Sequence, residues 1–214
     1  MSASVSSVTS TELSQHLLDR HPLDIEPGSV DERLVHATLR CVARWGTAKT
    51  SLADIADEAG VSRATLYRTF REGKEGLLLR AATLEINRFF DDLAERFSSA
   101  ATLEDVIVRG MSSAGKAIIE RRALLPLMTH FFDPQTAERE AGLRVLQHLV
   151  IECAAPHMER FLEPERARAT ADLLARLVLT FVLLPSDEMD VTDEDQVRGY
   201  VRQVLTLPAT GFAR

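Results

Sequence analysis

Residues 47–74 read TAKTSLADIADEAGVSRATLYRTFREGK and divide into two short helical patterns joined by Ala59-Gly60-Val61. Ser51 is a good N-cap, and Asp54 three residues later completes a pairing of the capping-box kind. Leu52, Ile55, Ala56 and Ala59 recur at helical spacing and give the first pattern one apolar face. Gly60 then ends it, because glycine adopts the left-handed conformation that closes a helix. Val61 turns inward at the corner. Ser62 caps the second pattern, whose Leu66 and Phe70 face inward four residues apart. Arg63, Ala64, Thr65, Tyr67 and Arg68 are left pointing outward near the start of that helix.

Two short helices with this corner form a helix-turn-helix. Small, polar and basic side chains on the opening turns of the second helix suit base edges and phosphates of a DNA major groove. Arg63 is a candidate partner for guanine acceptors, and Thr65 for a thymine methyl or a phosphate. Tyr67 and Arg68 are candidate phosphate ligands, and Arg33, near the start of the preceding helix, is another. The competing reading is an ordinary helical hairpin in which Arg63 and Arg68 are solvated charges. Caps, turn and outward chemistry agree with one another, which favours DNA.

Extended in both directions, the stretch resembles the N-terminal domain of the TetR family of bacterial transcriptional regulators. Ala37 and Gly46 stand where that family has an alanine in its first helix and the glycine that ends it. Thr50-Ser51 fills the Thr/Ser pair before the second helix. Ile55-Ala56, Ala59-Gly60-Val61-Ser62, Thr65-Leu66-Tyr67 and Phe70 follow in family spacing, and Lys74-Glu75 with Leu77-Leu78 resembles the start of its fourth helix. The resemblance covers residues 28–88. It implies an all-α regulator with a three-helix DNA-binding domain at 28–88, after an arm at 1–29, and a helical effector-binding and dimerisation domain at 89–214. It adds Thr50, Ser51, Ser62, Ala64, Arg71 and Lys74 to the expected DNA-contacting set. One departure concerns Lys74. Between Phe70 and Lys74-Glu75 stand three residues, Arg71-Glu72-Gly73, where the family usually has two, and Gly73 replaces the usual Ser or Asn cap.

The chain has 214 residues, 45% hydrophobic content and a net charge of −7. That acidity argues against a non-specific nucleic-acid coat. Residues 28–88 hold ten Lys and Arg against eight Asp and Glu, a local +2 that leaves −9 elsewhere. The basic excess therefore travels with the motif. Cys41 and Cys153 lie inside apolar helical patterns and read as buried free thiols of a cytoplasmic protein. No Cys/His spacing suggests zinc, no cofactor is implied, and no stretch is long and apolar enough to span a bilayer.

Residues 1–29 are rich in Ser and Thr and read as a flexible arm with a short helix over 12–20. Downstream, helical patterns run over 30–45, 74–98, from Thr102-Asp105 onward, 123–132, from Asp133-Pro134 to 155, 164–184 and 192–207, with no alternating strand pattern. Trp45 reads as a packing residue. Gly110 and Gly115 interrupt the helix after 102, either to let helices approach or to leave room for a ligand. Residues 165–184 carry two apolar stripes: Ala171, Leu174, Ala175, Val178, Leu179 and Val182, and then Leu173, Leu177, Phe181 and Leu184. A girdle this wide requires burial on two sides. The resemblance implies that 165–184 and 192–207 form a homodimer interface, matching a palindromic double-stranded operator.

Phe89, Met111, Met128, His130, Phe131, Phe132 and His148 form a candidate site for a small, largely apolar effector, since Met and Phe line adaptable cavities. The bland alternative is that this stripe is core. The enzymatic alternative would pair His130 or His148 with Glu120, Glu138 or Glu152. No nucleophile elbow, phosphate loop or metal spacing accompanies them, so the chain reads as a regulator.

Overall fold

The computed structural model describes residues 15, 17, 25–131, 138–184 and 189–205. Among these residues the structure is wholly helical. Helix α1 is Val30–Lys49, α2 Leu52–Ala59, α3 Arg63–Thr69, α4 Gly73–Ser98 and α5 Leu103–Glu120. Then come α6 Leu124–Phe131, α7 Glu138–Met158, α8 Pro164–Leu183 and α9 Glu194–Leu205. Phe132 and the Asp133-Pro134 helix start lie outside the described residues, as does most of the arm. Within the arm, Gln15 and Leu17 are helical, and Leu17 is buried at 1% exposure.

Local chemistry sets the helix ends. Ser29 caps α1 by accepting from the Glu32 amide at 3.1 Å. The α1 run breaks at Gly46, whose backbone (φ 75°, ψ 169°) is not helical. Thr102 and Asp105 exchange side-chain to backbone hydrogen bonds of 3.1 and 3.2 Å ahead of α5, as expected. Helix α9, expected from 192, starts at Glu194, where Asp193 Oδ1 accepts from the Asp195 and Gln196 amides. Helix α7 also runs past its expected end at Ala155, with Pro156 inside it.

The chain divides into two units. The first comprises Met1–Phe89 and Glu120–Leu149, the second Phe90–Ile119 and Val150–Arg214. A single division at residue 88/89 had been expected, and contacts carry residues 120–149 to the first unit. Its core is built from Leu34, Val35 and Cys41 of α1, Ile55 of α2, Leu66 of α3, Leu77, Leu78 and Ile86 of α4, and Leu127 and Phe131 of α6. Helix α6 packs on α1. It is tied to α4 by the Glu85–Arg121 ion pair at 3.0 Å, just before the helix, and by a 2.9 Å hydrogen bond between Glu75 and His130 near its end.

The second unit has its own core of Phe90, Leu93, Phe97, Val106, Met111, Met158, Ala171 and Val197. The two glycines of α5 serve close packing. A Cβ on Gly115 would stand 2.5 Å from Val191 Cγ1, and one on Gly110 would stand 3.3 Å from the Phe97 ring. Arg198 binds Glu104 at 2.6 Å and Asp105 at 3.0 Å, and Arg202 adds a 3.0 Å bond to Glu104. These bonds hold the Glu104 and Asp105 carboxyls below their ordinary range. For Glu104 the arginine bonds lead, and for Asp105 the Thr102 hydroxyl leads. Cys41 and Cys153 are buried free thiols, as expected, and burial pushes the Cys41 thiol up.

Helix α8 buries Ala167, Ala171 and Ala175, while Leu173 remains 56% exposed and Leu184 71% exposed. Its second stripe, which also carries the half-buried Leu177 and Phe181, is thus the outward one. No described helix is long and apolar enough to cross a membrane.

Candidate nucleic-acid interface

Helix α2 is held at both ends. Ser51 and Asp54 form the reciprocal capping box that their spacing predicts, and the Ser51 hydroxyl holds the Asp54 carboxyl below its usual range. At the other end Gly60 is left-handed (φ 66°, ψ 38°), and its amide donates to Ala56 and Asp57 carbonyls. The Val61 amide reaches the Ala56 carbonyl at 3.0 Å. A β-carbon is unfavourable in this left-handed backbone, so glycine is required.

The corner delivers Ser62, whose Oγ accepts from the Thr65 amide at 3.1 Å and starts α3. Leu66 and the capping residue Phe70 are buried. Arg63, Ala64, Tyr67 and Arg68 are exposed, and Tyr67 stands 56% open. Thr65 is half-buried, with its hydroxyl 2.9 Å from that of Ser62. The outward face therefore offers a guanidinium fork, a methyl, a phenol and a second guanidinium on consecutive turns. That chemistry matches guanine acceptors, a thymine methyl and phosphate oxygens. Arg71 is exposed and Lys74 half-exposed beyond it. The extra residue ahead of Lys74 is absorbed in a tight turn, with Gly73 at φ 67° and its amide 3.4 Å from the Phe70 carbonyl.

Two expected DNA ligands are placed differently. Thr50 is 2% exposed and donates its hydroxyl to the Gly46 carbonyl at 2.8 Å, closing the end of α1. Arg33 does not extend freely. Its Nε and Nη2 donate to the Ala59 carbonyl at 3.2 and 2.8 Å, and Nη2 donates to the Gly60 carbonyl at 2.9 Å. These carbonyls are left unsatisfied where α2 ends, and a cation there also meets the negative end of the helix dipole. Ser51 is exposed but engaged in its capping box. Trp45 is 41% exposed beneath Arg44 rather than packed inside.

The described members of the expected effector set fall on different helices of both units. Met128, His130 and Phe131 share α6, with Phe131 buried and His130 bonded to Glu75. Phe89 is half-buried, and His148 is exposed on α7. Met111 is a buried core residue of the second unit, as the bland reading had it. The acid–base alternative is corrected too. His130 takes Glu75 as its carboxylate, and Glu152 bonds Arg168 at 2.6 Å. Among the described residues no cluster of His, Cys, Asp and Glu has the makings of a metal site.

The family model described as "Bacterial regulatory proteins, tetR family" matches residues 34–81, the span from α1 into α4. Among the curated proteins none matches this sequence. Several solved structures share the fold. The TetR-family repressor AlkX from Dietzia sp., implicated in n-alkane biodegradation, is 22% identical with a TM-score of 0.50, over 85% of this chain and 95% of that one. The fatty acid degradation regulator FadR from Bacillus halodurans is 20% identical with a TM-score of 0.57, over 87% and 99%. FadR from Bacillus subtilis, solved with stearoyl-CoA, is 17% identical with a TM-score of 0.54, over 79% and 96%.

Proposed function

We propose that the chain is a DNA-binding transcriptional regulator of the tetR family, whose family model matches residues 34–81, and that it is a repressor released from a palindromic operator by a small, largely apolar molecule. The observation that carries the DNA reading is the face of α3, where Arg63, Ala64, Tyr67 and Arg68 stand exposed on a helix whose start, turn and buried anchor are all fixed. In this reading Arg63 and Thr65 meet base edges, while Tyr67, Arg68, Arg71 and Lys74 meet phosphates. Two copies of the chain pair through α8 and α9 and set two α3 helices in successive major grooves. Exposed Leu173 and Leu184, with half-buried Leu177 and Phe181 between them, support the pairing, because such a row of apolar side chains is rarely left uncovered.

The effector binds in the helical region beyond the motif. It acts only if it favours the released geometry over the DNA-bound one by a real difference in affinity. The aliphatic chemistry attached to AlkX and to the two FadR proteins supports an apolar effector for this chain.

The test is binding to the duplex selected by the wild-type protein from a random pool. Arg63→Ala and Tyr67→Ala should each weaken that binding severalfold or more. Unchanged affinity in both would sink the assignment of α3.

A further inference from the structure

We propose that Asp31 and Arg33, both in the first turn of α1, are positioning residues that aim the recognition helix from behind. The inference rests on the reading of α3 as the DNA-contacting helix. At seven residues, α3 is far shorter than a helix that is stable alone. It buries only Leu66 within its span and Phe70 at its cap. Its direction is therefore set by whatever holds its two ends.

Both ends are tied to the same turn of α1. Upstream, Arg33 makes three hydrogen bonds to the Ala59 and Gly60 carbonyls, at the corner from which α3 departs. Downstream, the Arg80 guanidinium lies over the ring of Phe70, the residue that ends α3, at 5.6 Å. Arg80 is itself held by Asp31 at 2.6 Å. Asp31 and Arg33 thus act on the entry and the exit of α3 from one rigid base. That base is fixed in turn by the Ser29 cap and by a 2.7 Å bond from the Gly28 amide to Glu32. A planar fork across two carbonyls is a directional contact that an ammonium reproduces only in part.

The role differs from a phosphate contact in a measurable way. A lost phosphate ligand weakens binding to all duplexes alike and lowers the salt slope by about one. A mis-aimed helix loses its base contacts out of proportion to the phosphate contacts of Tyr67 and Arg68, because a bidentate base contact tolerates less displacement than a charge beside a phosphate. The experiment compares wild type, Arg33→Met, Arg33→Lys and Asp31→Asn on two DNAs: the duplex that wild type selects from a random pool, and a scrambled duplex of equal length. Arg33→Met and Asp31→Asn should each cut affinity for the selected duplex about tenfold, the worth of roughly one base contact. Affinity for the scrambled duplex should fall far less, so that the ratio of selected to scrambled affinity drops, and the salt slope should change by less than the loss of one phosphate contact. Arg33→Lys should fall between. Should Arg33→Met fail to fold, Arg33→Lys and Asp31→Asn decide. An unchanged ratio of selected to scrambled affinity in the variants that fold overturns the proposal, as does an equal loss on both DNAs. If wild type selects no duplex at all, the reading of α3 fails first, and that is seen before any variant is made.

Discussion

At the residue scale, the proposed reading gives one helix face two kinds of contact, and they separate experimentally. Arg63→Ala should cost about 1–3 kcal/mol of discrimination at one base pair. Arg68→Ala should weaken binding to every duplex evenly and lower the salt slope by about one. Salt titrations on selected and scrambled duplexes check both. Gly60→Ala forces a β-carbon into left-handed backbone (φ 66°) and should destabilise by about 1 kcal/mol or more, read as a lower denaturation midpoint. Gly60, Ser51 and Ser62 were legible in the sequence because a cap acts on residues two to four positions away. Arg33 and Thr50 were not. The carbonyls that Arg33 meets lie 26 and 27 residues downstream, and no local pattern distinguishes a basic residue that reaches DNA from one that closes a neighbouring helix. For Thr50 the family resemblance implied a DNA contact, and its burial against the Gly46 carbonyl follows only from where α1 ends.

At the element scale, period and punctuation located the helices, while long-range packing decided what their small residues do. Ser62→Ala removes the accepting oxygen at the start of α3 and should cost about 0.5–2 kcal/mol. In α5, Gly115 left two readings open, and Val191 settles it from 76 positions away in the chain. Gly115→Ala should overpack that contact and lower stability by about 1–3 kcal/mol in chemical denaturation, despite alanine's better helix propensity. The effector residues were least legible. Met and Phe at helical spacing serve core and cavity alike, and the fold assigns Met111 to the core of one unit and His130 to a hydrogen bond with Glu75 in the other.

For the whole molecule, stability should fall with acid in two separable windows. Burial, with Arg160 alongside, holds His157 below its ordinary 6.5, so the folded state keeps it neutral. The unfolded chain takes up that proton first, and stability is lost as pH drops below 6.5. His157→Gln should flatten that part of the profile. Glu104 is held below its ordinary 4.5 by Arg202 and Arg198, so its contribution is present above that value and vanishes as pH falls through the folded-state value. Glu104→Gln should shrink this lower limb without abolishing it, because Asp54 and Asp105 are held low as well, and should leave the limb near 6.5 in place.

Assembly belongs to the same scale. If the chain pairs through α8 as proposed, Leu173→Glu, at an exposed position of that helix, should leave the helix content intact, yield monomer where wild type runs as a dimer at micromolar concentration in ultracentrifugation, and weaken binding to the selected duplex in parallel. The central claim is two α3 helices presented with two-fold symmetry, and selection of DNA from a random pool by the wild-type protein tests it most directly. The account predicts an enriched inverted repeat whose half-sites lie about one helical turn, or a small multiple of it, apart. Enrichment of nothing, or of one unrepeated site, would contradict it.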